Sequence, residues 1–110
     1  MKLGLVINPM AGIGGAVGLK GSDGREIVER ALDKGAMPRA QERALAALSR
    51  FRDFAPVPVF TAGGLMGRDV LDRAGIESEV VYSPASQITT ADDTRKAVYA
   101  LCEKSIDLLL

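Results

Sequence analysis

The sequence predicts a single α/β domain, a three-layer sandwich in which a parallel four-stranded sheet lies between helices. Three observations carry that expectation. Leu3, Leu5, Val6 and Ile7 form a short run that is apolar on both faces, as in a parallel strand covered from both sides. Short apolar runs then alternate along the chain with segments whose apolar residues recur at helical spacing. At 110 residues, 47% of them hydrophobic, the chain has the size of one domain and enough apolar material to close a core over a sheet.

The first strand spans Leu3 to Ile7 and is ended by Pro9. Six of the twelve glycines follow between Gly12 and Gly24, in a loop that opens Asn8-Pro9-Met10-Ala11-Gly12-Ile13-Gly14-Gly15. Glycine reaches positive φ and lets backbone approach a partner closely, so this loop suits a nucleotide or phosphate platform; the plainer alternative is a long surface loop. Neither common phosphate fingerprint is complete. Val17 stands where the dinucleotide motif has its third glycine, and Gly18-Leu19-Lys20-Gly21-Ser22 lacks the Gly-Lys-Ser of a P-loop.

Asp23 and Glu26 resemble a capping box before a helix with Ile27, Val28, Ala31 and Leu32 on one face, closed by Gly35. Pro38 suits the first turn of a second helix, whose stripe of Ala40, Ala44, Leu45, Ala47, Leu48 and Phe51 opposes Arg39, Glu42, Arg43 and Arg50. Val57, Val59 and Phe60 indicate a second strand, shortened by Pro56 and Pro58. The turn Thr61-Ala62-Gly63-Gly64-Leu65-Met66-Gly67 is either a ligand loop or, more simply, a tight link to a helix with Val70, Leu71 and Ala74 that Gly75 ends. A third strand covers Glu79 to Tyr82 and breaks at Ser83-Pro84.

Thr89-Thr90-Ala91-Asp92-Asp93-Thr94 opens the last helix, with a threonine cap and with Ala97, Val98, Leu101 and Cys102 facing inward. Asp92 and Asp93 suggest paired catalytic carboxylates, but acids in a first turn are sufficiently explained by the positive end of the helix dipole. Ile106 to Leu110 forms a fourth strand, and three leucines at its end suggest that the chain is cut from a larger protein.

Composition removes several function classes. Acidic and basic residues balance at 14 each without a basic block, which argues against nucleic acid as the main partner. Histidine is absent, so chemistry falls to carboxylates, hydroxyls, backbone groups or a metal carried by a substrate phosphate, and no protein metal site is expected. The single Cys102 excludes an intrachain disulfide and is expected to be a buried, inert thiol. The apolar stretch after Met1-Lys2 is too short for a signal segment or a membrane span, and the expected location is cytoplasmic.

Asn8 through Gly24, the Thr61 to Gly67 turn and Thr89-Thr90-Ala91-Asp92-Asp93-Thr94-Arg95 together, in this order and spacing, resemble the ATP-NAD kinase-like family, the group that includes acetoin catabolism protein X. The resemblance covers most of the chain and implies a distant relation to NAD kinases and to diacylglycerol and sphingosine kinases. It implies the amino-terminal, nucleotide-binding lobe of a larger protein, residues 1–110, that transfers a phosphoryl group from ATP, with Mg2+, to a hydroxyl of NAD or a related small acceptor. Asn8, Pro9, Gly12, Gly14 and Gly15 would face the nucleotide phosphates, with Thr90 at a helix start nearby. Lys20 would add a point charge there or simply remain in solvent. The family's Gly-Gly-Asp-Gly motif, which follows the strand matching Ile106 to Leu110 and carries the aspartate of phosphoryl transfer, is absent from this sequence. No catalytic residue is therefore assigned to the chain, and by itself it is expected to be inactive.

With right-handed crossovers, the resemblance also implies a Rossmann-like strand order of 3-2-1-4, with the Asn8 loop at the switch point between strands one and four. Ile106 to Leu110 then lies at an exposed apolar edge that favours a homodimer. The alternative is a non-catalytic Rossmann-like module for nucleotide sensing or association.

Overall fold

In the computed structural model, which describes residues 1–10, 39–51 and 57–110, four strands form one parallel sheet ordered β3-β2-β1-β4. The strands are β1 (Leu3–Leu5), β2 (Val59–Ala62), β3 (Glu79–Tyr82) and β4 (Leu108–Leu109). The described helices are α1 (Arg39–Phe51), α2 (Arg68–Arg73) and α3 (Ala91–Cys102), and a 3-10 turn covers Gly64–Met66. This is the α/β class and the strand order expected from the sequence.

Alternation along β1 and just beyond it creates the layers, because successive side chains leave a strand on opposite sides. Leu5 and Ile7 pack with Leu48 of α1 and with Val70, Leu71 and Ala74 in and just after α2. Val6 packs on the other face, with Ala62, Met66 and Ala97 of α3. The connections β1 to β2 and β2 to β3 run in one direction along the sheet and place α1 and α2 on one face. The connection from β3 to β4 runs back past β2 and β1, so keeping one crossover hand requires α3 on the other face.

Tight backbone packing occurs where the sequence offers glycine or threonine. A Cβ at Gly4 would lie 2.6 Å from Ile106 Cδ1, so the missing side chain lets β4 and its approach close over β1. The buried Thr61 hydroxyl donates to the Leu5 carbonyl at 2.8 Å, a side-chain stitch between β2 and β1. Gly67, at φ +155°, lies directly against that hydroxyl, where any Cβ would collide with Thr61 Oγ1.

Several expectations need correction. The ladder of β1 ends at Leu5, not Ile7, because the Ile7 N–H turns away to the Met66 carbonyl at 2.9 Å. β2 begins at Val59, not Val57, and continues through Thr61 and Ala62, residues the sequence places in the following turn; Pro58 still serves the sheet as an acceptor for Leu3 N–H at 2.9 Å. β4 is confined to Leu108–Leu109, and its leucines are exposed. Ala47 lies outside the buried stripe of α1, whereas the polar Gln41 lies inside it, donating its amide to the Leu65 carbonyl. Cys102 is exposed. Ala97 and Leu101 define the buried line of α3, and at 100° per residue Cys102 falls well outside it. The helix expected from Asp23 to Gly35, together with Pro38, lies outside the described residues.

Candidate functional site

Because all four strands are parallel, their carboxyl ends share one rim, where ligands of open α/β sheets gather. Above β1, the Asn8 side chain accepts the Met10 N–H at 3.1 Å, an Asx turn that holds the start of the loop, and Pro9 is fully buried beneath it. Val6 N–H donates to the Leu110 carbonyl at 3.1 Å, so the end of β4 stands on the same rim one strand away. Gly12, Gly14, Gly15 and Lys20 lie outside the described residues.

Above β2, the Gly63 N–H donates to the Tyr82 carbonyl at 2.7 Å, and the 3-10 turn reverses the chain toward α2. Above β3, the chain passes through Ser83-Pro84 to the start of α3. Thr90 caps this helix in a reciprocal box: its hydroxyl accepts the Asp93 N–H at 3.4 Å, and the Asp93 carboxylate accepts the Thr90 N–H at 2.9 Å. Capping thus accounts for Asp93, as the sequence suggested. Thr90 stands at the expected rim with its hydroxyl already engaged.

The second oxygen of Asp93 accepts the Tyr82 hydroxyl at 2.6 Å. This hydrogen bond, with those from Thr90, holds the Asp93 carboxyl below the usual carboxylate range. The same bond to Asp93, with burial and the nearby acids, pushes the Tyr82 hydroxyl up. Asp92 pairs with Arg95 and Lys96, each at 3.0 Å, and its carboxylate raises the Lys96 amine. The positive end of α3 is therefore answered by its own acids, which weakens it as a donor to an external anion.

A cleft of about 270 Å³ opens at this rim between the β2 and β3 connections. Gly63, Asp69, Ser83, Ser86, Gln87 and Thr89 are among its lining residues. In sequence the glycine turn stands out as a loop signal, whereas Ser83-Pro84 reads only as a strand breaker and Asp69 carries no local signal. The available signal was the run of small polar residues between Ser83 and Thr90.

Among the described residues, no group of three or more His, Cys, Asp or Glu side chains is placed to hold a metal ion. No described helix is long and apolar enough to cross a membrane. Comparison of the chain with protein-family models, curated proteins and solved structures finds no match.

Proposed function

We propose that this chain is the amino-terminal lobe of a cytoplasmic, ATP-dependent NAD kinase-like phosphotransferase. The carrying observation is the common rim of the Asn8 turn and the carboxyl end of β4, joined through Val6 N–H and the Leu110 carbonyl. A Gly-Gly-Asp-Gly segment following β4 in a longer protein would face the loop that begins at Asn8. Asn8, Pro9, Gly12, Gly14 and Gly15 would then cradle the phosphates of ATP, while Thr90 fixes the neighbouring helix start. ATP would supply the phosphoryl group, and Mg2+ would be held mainly by its phosphates, since the described residues provide no clustered ligands for it. The acceptor would be NAD or a related hydroxyl compound, chosen by a further domain.

Calorimetry on the 110-residue chain is expected to detect little ATP binding, and micromolar, Mg2+-dependent affinity would contradict a site divided between two lobes. A coupled assay of the longer gene product is expected to show ATP-dependent phosphorylation of NAD or a related acceptor. Inactivity toward such acceptors, with no Gly-Gly-Asp-Gly after Leu110, would remove the kinase reading.

The internally satisfied start of α3 supports a second reading, a non-catalytic Rossmann-like association module. Leu108, Leu109 and Leu110 are 41%, 40% and 44% exposed at the sheet edge and would pair in a homodimer. Sedimentation showing a monomer throughout a concentration series would contradict that pairing.

A further inference from the structure

The connections leaving β2 and β3 part to opposite faces, one toward α2 and the other toward α3, and the 270 Å³ cleft lies where they separate. Both connections leave from the carboxyl rim, the side of the sheet on which open α/β folds bind ligands. We propose that this cleft binds a small uncharged polyhydroxy compound, a sugar-like diol held by the Asp69 carboxylate and the neutral polar groups of Ser83, Ser86, Gln87 and Thr89. The proposal does not depend on the phosphotransferase reading, whose phosphate loop begins above β1.

Size comes first. A cleft of about 270 Å³ falls just under the range of roughly 300–1,000 Å³ typical of drug-sized ligand sites, and so suits a compound about the size of one sugar ring.

Charge then narrows the chemistry. Asp69 is the one charged lining residue among the described residues and takes part in none of their ion pairs. Arg68 is directed to Asp72 and the Ser78 carbonyl, and Arg95 and Lys96 to Asp92. A phosphate would meet a carboxylate with no cation among the described lining residues to offset it. A diol presents two O–H donors to the acceptor-only carboxylate, while hydroxyls and the Gln87 amide can both donate and accept toward the remaining ring oxygens.

The lining also has unused capacity. Thr89 is only 6% exposed, yet its hydroxyl has no hydrogen-bond partner, an uncommon state for a buried polar atom. Ser86 Oγ accepts the Ile88 N–H at 3.1 Å, leaving its own O–H to donate. At Gly63 an added Cβ would lie 2.9 Å from Ser83 Oγ, so a side chain there would crowd the cleft wall without backbone strain, at φ −69°.

The test uses the isotope-labelled 110-residue chain and follows backbone amide signals while D-ribose, adenosine, inorganic phosphate or methylamine is added separately. Ribose or adenosine is expected to shift Gly63, Gly64 and the Ser83 to Thr89 segment saturably, with Met10 unmoved. Asp69→Asn should weaken this binding about tenfold, as expected for losing a charge-assisted hydrogen bond. Gly63→Ala should weaken it while leaving the circular dichroism spectrum unchanged. If Gly63→Ala disturbs the fold, Asp69→Asn, on an exposed side chain, carries the comparison. Stronger shifts of these amides by phosphate or methylamine than by ribose or adenosine, absence of saturable shifts with both ribose and adenosine, or unchanged affinity in Asp69→Asn would overturn the proposal.

Discussion

Replacing Gly67 by alanine tests how the rim is built. Gly67 has φ +155° and ψ −41°, outside the conformations that alanine adopts comfortably, and holding a side chain there costs about 1–3 kcal/mol. The added methyl would also displace the Thr61 hydroxyl from its 2.8 Å bond to the Leu5 carbonyl, a loss of roughly 0.5–1.5 kcal/mol. Together these give a destabilisation of about 2–4 kcal/mol, a large share of the ~5–15 kcal/mol that holds a typical domain. Urea denaturation should show the midpoint falling with little change in slope. The control is Thr61→Ala, which removes the colliding oxygen. In that background Gly67→Ala should cost only the backbone term, giving a coupling of about 1 kcal/mol between the two positions. A Gly67→Ala protein within about 0.5 kcal/mol of the parent, or strict additivity with Thr61→Ala, would refute this account of the β2 to α2 turn.

Thr90→Ala should lower stability by about 1 kcal/mol through loss of the helix cap, measured by the same denaturation. The Tyr82–Asp93 bond predicts a pH dependence with a definite sign. Asp93 titrates lower in the folded protein, so its contribution is present above the ordinary carboxylate pKa and is lost as pH falls through the depressed value. Tyr82 titrates higher, so its contribution is complete below the ordinary phenol pKa and is lost as pH rises through the raised value. Tyr82→Phe should flatten both limbs of a melting temperature against pH curve, and unchanged limbs would contradict the bond. Cys102 should react with a thiol reagent in the native protein nearly as completely as in denaturant, whereas a protected thiol would contradict its exposure. Leu71→Ala, at a fully buried α2 position, should cost about 2–5 kcal/mol by thermal or urea unfolding.

What could be read from the sequence was what local chemistry decides. A threonine followed by Asp92 and Asp93 specified a helix start whatever the helix packed against, and Leu3 to Ile7 read as a strand covered on both sides because neither face is polar. What depends on tertiary partners was misread. Cys102 sits among apolar neighbours, but the buried line of α3 is fixed by the sheet against Ala97 and Leu101. Gln41 was given no place on the buried side of α1, because nothing nearby in sequence reveals the Leu65 carbonyl that accepts its amide. Thr61 and Ala62 read as turn because the glycines beside them dominate the local signal, while their pairing with β3 is set from twenty residues away. The cleft was legible only in outline. Its glycines were visible, but Asp69, Ser83 and Thr89 come together through two separate connections.

The placement of β1 has a consequence for how the chain is made. Its two flanking strands come late: β2 lies more than fifty residues downstream, and the bond from Lys2 N–H to Asp107 beside β4 spans 105 residues. During vectorial synthesis the first of the described strands therefore waits for a partner until β2 has emerged, and its other edge stays unpaired until β4 follows. Gly4, against which Ile106 and Leu109 pack, is therefore covered only when the last of the described strands arrives.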